Sequence, residues 1–213
     1  MSYSLLEMAA KGGWIMIVLA ILSLVAIYIF GKKLWLISKA SKIDRYFMND
    51  IQDYMIAGKI QSAKTLCAKY DSPIARMVEK GIDHRSKSLQ EVQTAMENAG
   101  NVEVARLEKG LSGLASIAGG APMLGFLGTV TGMIRAFFNM ANSGNNVDIT
   151  LLSGGIYEAM ITTVGGLIVG IVAYFGYNFL VGRVSALTAG MDTATMDMID
   201  ILETLPEGVE EKE

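Results

Sequence analysis

The stretch GGAPMLGFLGTVTGMIRAFF (Gly119–Phe138) decides the fold of this chain. It has no charged residue before Arg135, yet it contains a proline, five glycines and two threonines. Glycine and proline weaken helices in water, so a helix in the core of a soluble protein seldom has this composition. Helices that cross membranes tolerate both residues, because neighbouring helices satisfy the freed backbone groups. The stretch therefore predicts a transmembrane helix that packs against other helices.

Two other apolar runs have the length that a membrane crossing requires. The chain has 213 residues, of which 52% are hydrophobic and 18% are charged. Residues 14–30 carry no charge, and residues 151–181 carry only Glu158. Runs of about 18 or more such residues are typical of transmembrane helices. A cleaved signal peptide is the alternative for the first run, but its basic residues follow the run, which favours a retained helix.

Basic residues set the expected orientation. Residues 31–110 carry 14 of the 18 lysines and arginines, and segments rich in these residues stay on the cytoplasmic side of the membrane. We therefore expect an all-α integral membrane protein with three transmembrane helices, an external N-terminus and a cytoplasmic C-terminus. Its predicted order is an external segment at 1–13, a first transmembrane helix at 14–37, a helical cytoplasmic domain at 38–110, a second transmembrane helix at 111–140, an external loop at 141–148, a third transmembrane helix at 149–181, and a cytoplasmic helix with an acidic tail at 182–213.

Apolar periodicity predicts helices outside the membrane as well. Residues 43–70 carry an apolar stripe at helical spacing, and Ser88 with Glu91 forms a capping box that begins a further helix. Beyond the third span, apolar residues recur at alternating steps of three and four: Val184, Leu187, Met191, Ala194, Met198, Ile201 and Leu205. This heptad-like seam packs either on helices of the same subunit or on copies of itself about an axis, and we favour self-association.

The second and third transmembrane helices each carry one face of small and polar residues. At 100° per residue, the Glu158 face includes Thr162 and Gly166, with Thr163 towards its edge, and Pro122, Gly125, Thr129 and Gly132 share one strip of the second helix. The pairs Gly128 with Gly132 and Gly166 with Gly170 have the spacing of close helix contacts. Such faces either pack helices tightly, with each threonine bonding its own backbone, or line a polar path. For the glycines alone, packing is the simpler interpretation.

Glu158 is harder to explain by packing. An ionised carboxylate at the bilayer centre costs about 2.5–3.5 kcal/mol on insertion scales, and such residues usually face a cavity. We therefore predict that Glu158 takes part in ion or proton passage. Because it lies early in its helix, a structural role near the outer interface is the alternative.

Several classes of function lack their residues. The sequence contains no nucleotide-binding loop, no metal-ligand cluster and no catalytic triad, so we expect no catalytic residue, no metal, no cofactor and no enzymatic activity. The net charge of −3 gives no basis for nucleic-acid binding. The lone Cys67 excludes a disulfide within the chain, and His84 lies in a polar turn typical of a solvated side chain.

The segments APMLGFLGTVTGMIRAF and GGIYEAMITTVGGLIVGIVAYFGYN together resemble the MotA/TolQ/ExbB proton-channel family, and most closely its ExbB branch. The resemblance depends on Ala-Pro and Gly-x-x-Gly-Thr-Val in the second helix, and on Ile-x-Glu-Ala, Thr163 and Tyr177-Asn178 in the third. Thr131 and Arg135 depart from the family, which is often bulkier at the first position and commonly uncharged at the second.

The resemblance implies a homopentamer in the bacterial inner membrane. Its second and third helices would surround a pore that holds the single-span helices of an ExbD-like partner, and a TonB-like protein would carry the work to outer-membrane transporters. Thr129 and Thr163 would be the pore threonines and Glu158 the pathway glutamate, with Thr162 on the same face. The residues that shape the helices would be Pro122, Gly125, Gly128, Gly132, Gly166 and Gly170.

Two other functions remain open from the sequence. A TolQ-like subunit would use the same machine for envelope integrity. A passive membrane scaffold would use the small-residue faces only to pack helices. A flagellar stator subunit fits less well, because such chains have a fourth span that is not found here.

Overall fold

The computed structural model describes residues 13–142 and 149–204, and within these ranges the chain is entirely helical. The seven helices are α1 (Gly13–Ala40), α2 (Phe47–Ile56), α3 (Ile60–Lys69), α4 (Pro73–Asp83), α5 (Leu89–Glu108), α6 (Leu111–Asn142) and α7 (Ile149–Thr204). The predicted external segment before Gly13, most of the external loop and the acidic tail lie outside the described residues.

Three of these helices are long and apolar enough to cross a membrane: α1, α6 and α7. A crossing needs about 20 residues, and α1 has 28 and α6 has 32. The prediction of an all-α membrane protein with three spans is confirmed. The predicted third span and the predicted C-terminal helix are one continuous helix of 56 residues, because no proline interrupts them and isolated glycines such as Gly182 and Gly190 are tolerated within a helix.

The chain forms two compact units. Of the described residues, the membrane unit comprises those in 13–32 and 110–179, and the second unit comprises those in 33–109 and 180–204. The long helices α1 and α7 each contribute to both. The candidate functional residues all belong to the membrane unit.

In the second unit, short helices pack in chain order, α2 on α3, α3 on α4 and α4 on α5. The apolar stripe predicted over residues 43–70 is split between α2 and α3, because the chain turns at Gly58, whose φ of 70° suits a residue without a side chain. The capping box is confirmed: the Glu91 amide donates to the Ser88 hydroxyl, and the Ser88 amide donates to the Glu91 carboxylate.

The heptad-like seam of α7 is buried inside the second unit, and our preference for self-association through it is wrong. All of its described members from Val184 to Ile201 are buried. A Cβ added at Gly81 would meet Met198, and one at Gly100 would meet Met191, so α4 and α5 lie directly against the seam. The seam is therefore covered by helices of the same chain and is not available to another copy.

Two carboxylates join the helices of this unit. Glu103 of α5 accepts hydrogen bonds from Arg76 at 2.7 Å and from Arg106 at 2.8 Å. Asp71 accepts from Lys39 at 2.7 Å and from Arg76 at 2.9 Å, and these bonds, that from Lys39 first, lower the pKa of Asp71. Arg76 thus links α4 to Asp71 in the turn that precedes it and to Glu103 of α5.

Burial controls the chemistry of the lone thiol. Cys67 lies in the α3 core at 2% exposure, and desolvation, with a smaller contribution from the charge of Glu79, raises its pKa to about 12. Because the thiolate is the reactive form, we expect Cys67 to resist maleimide near neutral pH in the folded protein and to react after denaturation. A Cys67→Ala/Ser86→Cys variant, with its thiol on an exposed turn, should react at once. Labelling followed by mass spectrometry makes the comparison, and rapid labelling of folded Cys67 would contradict this packing.

Candidate functional site

Helices α6 and α7 approach each other through small residues. A Cβ added at Gly166 would lie 2.5 Å from the carbonyl oxygen of Ala121 and 2.9 Å from the Cα of Gly125. One added at Gly132 would lie 2.9 Å from the Cβ of Ala159. Since real Cβ atoms do not approach so closely, these positions require glycine. The contacts run in opposite directions along the two helices, which are therefore antiparallel.

The predicted helix-shaping residues all lie at this contact. A Cβ added at Gly170 would meet the ring of Pro122 at 2.5 Å and the carbonyl oxygen of Ala118 at 3.0 Å. Proline has no amide hydrogen, so the Ala118 carbonyl lacks its usual partner in the helix. Gly170 brings a neighbouring backbone against that carbonyl, and the freed group is thus covered by protein, as a span in lipid requires.

The two predicted pore threonines are in direct contact. The hydroxyls of Thr129 and Thr163 form a hydrogen bond to each other across the two helices. Thr129 also lies 3.2 Å from the carbonyl oxygen of Ala159, and Thr163 lies 3.2 Å from that of Gly125. Both side chains are only half-buried, so each keeps one side open. The structure therefore places a small polar centre in an otherwise apolar helix pair.

Thr162 and Thr131 have other surroundings. Thr162, which we predicted to line the pore, is only 2% exposed, because its side chain fills the space above Gly128. Its hydroxyl donates to the Ala159 carbonyl at 2.7 Å. Thr162 therefore belongs to the helix contact and not to an open surface. Thr131 donates to the Leu127 carbonyl of its own helix at 2.9 Å, which explains how it is accommodated among apolar residues.

Glu158 pairs with Arg135, a contact that sequence reasoning missed. Arg135 Nη1 lies 3.6 Å from Glu158 Oε1, and their side chains are 61% and 32% exposed. The carboxylate also lies against Gly13 at the start of α1, where an added Cβ would collide with it. The sequence did contain a sign of this contact, namely the departure of Arg135 from the family pattern. An added cation in a span needs an anion nearby.

The predicted site thus divides into two groups. One is the hydroxyl contact of Thr129 and Thr163, and the other is the ion pair of Arg135 and Glu158. Among the contacts of the described residues, Glu158 makes no hydrogen bond to either threonine. The first group can donate and accept hydrogen bonds without a charge, whereas the second keeps two opposite charges close together.

A multi-pass helical protein with a polar centre between two of its spans has the architecture of a membrane channel component. Residues 69–193 match the profile of the MotA/TolQ/ExbB proton channel family. This match covers more than half of the chain, and it includes α6 and the Thr163 and Glu158 positions of α7. The chain belongs to the MotA/TolQ/ExbB proton channel family, as the paired motifs predicted.

Curated relatives bear names from the ExbB branch. A biopolymer transport protein ExbB-like 1 of Synechocystis is 31% identical over 179 residues, which cover 83% of this chain and 70% of that protein. The biopolymer transport protein ExbB of Neisseria gonorrhoeae is 39% identical over 93 residues, 44% of this chain and 42% of that one. An ExbB homologue of Methanothermobacter thermautotrophicus is 29% identical over 182 residues, and the chain spans 64% of its length.

The glycine contact can be tested with a matched pair of substitutions. In Gly166→Ala the new methyl group collides with backbone, and forced overpacking of this kind costs about 1–3 kcal/mol. Gly119→Ala on the same helix pair places a methyl group where nothing lies within 4 Å, so it should be neutral or slightly stabilising. Thermal unfolding of both purified proteins in mild detergent measures the difference. Equal unfolding midpoints would show that α6 and α7 do not meet at Gly166.

Proposed function

We propose that this chain is the ExbB-like subunit of a motor in the bacterial inner membrane that the proton-motive force drives. With an ExbD-like partner and a TonB-like protein, it would energise transport across the outer membrane. Membership of the proton channel family and the names of the relatives support the proposal. The observation that carries it is the contact of Thr129 with Thr163, because it provides hydroxyl groups at half-buried positions in the membrane unit.

Hydroxyl groups suit a path in which another chain carries the proton. Each threonine hydroxyl has one donor hydrogen and two acceptor lone pairs, so it can exchange hydrogen bonds with a passing group without becoming charged. By resemblance, the titrating carboxyl group belongs to the single-span partner. Thr129 and Thr163 would then solvate that group as it passes between the two sides of the membrane.

A homopentameric ring would bring five such sites around one pore, again by resemblance. The membrane unit offers surface for neighbouring copies, since many large apolar side chains of α6 and α7 are exposed in the single chain, among them Met123, Phe126, Ile168 and Val172. The seam of α7 is already covered, so subunit contacts have to use other surfaces. These surfaces belong to the ring, the partner or the lipid bilayer.

A passive scaffold is the second candidate, and one observation favours it. Thr129 and Thr163 both have carbonyl acceptors in the same chain, so their hydroxyls have partners without any proton path. Under this hypothesis the small residues serve only the close approach of the helices. The two candidates differ in what they predict when a hydroxyl is replaced and the shape is kept.

Orientation is the first test of the proposal. The 14 basic residues in 31–110 favour the cytoplasmic side for that segment. Reporter fusions near Asp83 and after Val209 should therefore both give cytoplasmic signals, and a fusion within 142–147 should give an external one. An external signal at Asp83 would contradict the proposed topology.

The second test removes the hydroxyls. Thr129→Val and Thr163→Val preserve the shape of the side chain but remove its donor and acceptors, and an unmatched buried polar group costs about 1–3 kcal/mol. We expect both variants to assemble with the partner, as measured by native mass spectrometry, and to lose energy-dependent uptake. Leu167→Val is the control, because Leu167 is 45% exposed on the apolar side of α7, and it should retain uptake.

The scaffold hypothesis predicts a different outcome for the same variants. Valine at either position would be silent or slightly stabilising, because the apolar contact is kept. Full uptake by both threonine variants at normal expression would therefore exclude the proton path and support the scaffold.

A further inference from the structure

Helices α6 and α7 pack against each other, and the apolar part of each carries one charged residue. These residues are Arg135 and Glu158. Arg135 is the single charged residue of α6, and Glu158 is the single charged residue of residues 149–181 in α7. Their nearest atoms, Nη1 and Oε1, are 3.6 Å apart. Each helix carries one charge in its apolar part, and the two charges meet. We therefore consider what this ion pair contributes to the helix contact and to proton passage.

The pair lies to one side of the threonine contact, closer to the ends of the helices. Arg135 lies about two turns before the end of α6 at Asn142. A lone charge in the apolar part of a span is costly, and an opposite charge at short range offsets that cost. The Arg135 side chain is 61% exposed in the single chain, so the ion pair is open on one side of the helix pair.

Two groups lie against the Glu158 carboxyl group. The guanidinium of Arg135 does not release its proton in proteins, so it remains a permanent counter-ion. The carboxylate also lies against Gly13 at the first described turn of α1. Residues 13–31 of α1 contain no charged side chain, so Arg135 is the charged group that the described elements direct at Glu158.

We propose that Arg135 is a positioning residue that holds Glu158 in a fixed, charge-neutral pair, and that Glu158 orients α6 and α7 and does not carry protons. This inference rests on the proposed function and deepens it, because it leaves Thr129 and Thr163 as the groups of this chain that meet the passing proton. It also explains how the chain accommodates a cation at a position where its family is commonly uncharged.

The test uses neutral variants of both residues. Arg135→Gln, Glu158→Gln and the double variant are compared with the native protein and with Arg135→Lys, which keeps the charge. Each complex is purified with the chains that accompany it and is placed in vesicles of phosphatidylethanolamine and phosphatidylglycerol. A pH-sensitive dye inside the vesicles then reports proton uptake when a membrane potential is applied.

A positioning role predicts rescue by the double variant. We expect each single glutamine variant to slow proton uptake about tenfold, which corresponds to about 1.4 kcal/mol, because one charge is left alone. The double variant should recover most of the native rate, since two glutamines are neutral and can bond to each other, and Arg135→Lys should stay near the native rate.

A double variant as slow as Glu158→Gln would show that the carboxyl group itself carries protons. A native rate of proton uptake in Arg135→Gln would show that Arg135 does not position Glu158. Either result would overturn the proposal.

A second measurement does not depend on the proposed function. If the native complex takes up no protons, the proposed function fails, and the pair is then judged by thermal unfolding of the same four variants in detergent. Coupled residues predict that the single glutamine variants lower the midpoint and the double variant restores it. Additive losses in the double variant would show that the two residues are independent and would overturn the proposal on its own.

Discussion

The close approach of α6 and α7 is the constraint on which the membrane unit depends. Lipid provides little hydrophobic driving force between helices, so spans associate through close packing and hydrogen bonds. Gly125, Gly132 and Gly166 bring the two backbones together, and only at that distance can a hydroxyl of one helix reach a hydroxyl and a carbonyl of the other. The glycines therefore create the polar centre as well as the contact, and packing and proton passage are not competing explanations for them.

The features that sequence reasoning predicted correctly depend on local pattern. The three spans follow from apolar runs, and the start of α5 follows from Ser88 and Glu91. The small-residue faces of α6 and α7 follow from helical periodicity. In each case the signal lies within a short segment, and the physical preference that produces it does not depend on what the segment later meets.

The features that could not be predicted depend on which faces meet. The α7 seam has the spacing of a coiled coil, but spacing does not reveal whether the facing helix belongs to the same chain. The rotation of α7 about its axis decides that the side chain of Thr162 is buried whereas that of the next residue, Thr163, is half-buried. The partnership of Arg135 with Glu158 likewise depends on the register of two helices, which no single segment encodes.

The threonine centre has more acceptors than donors, and this imbalance has a chemical consequence. The hydroxyls of Thr129, Thr162 and Thr163 share the carbonyl oxygens of Gly125 and Ala159 as acceptors, and each hydroxyl oxygen has lone pairs of its own. A neutral carboxylic acid at this site would donate its hydrogen to one of the spare lone pairs and leave the existing bonds in place. A carboxylate would be bound only if a hydroxyl hydrogen turned towards it from a carbonyl oxygen. The balance of donors and acceptors would thus favour the neutral form of a visiting acid, without any charge of its own.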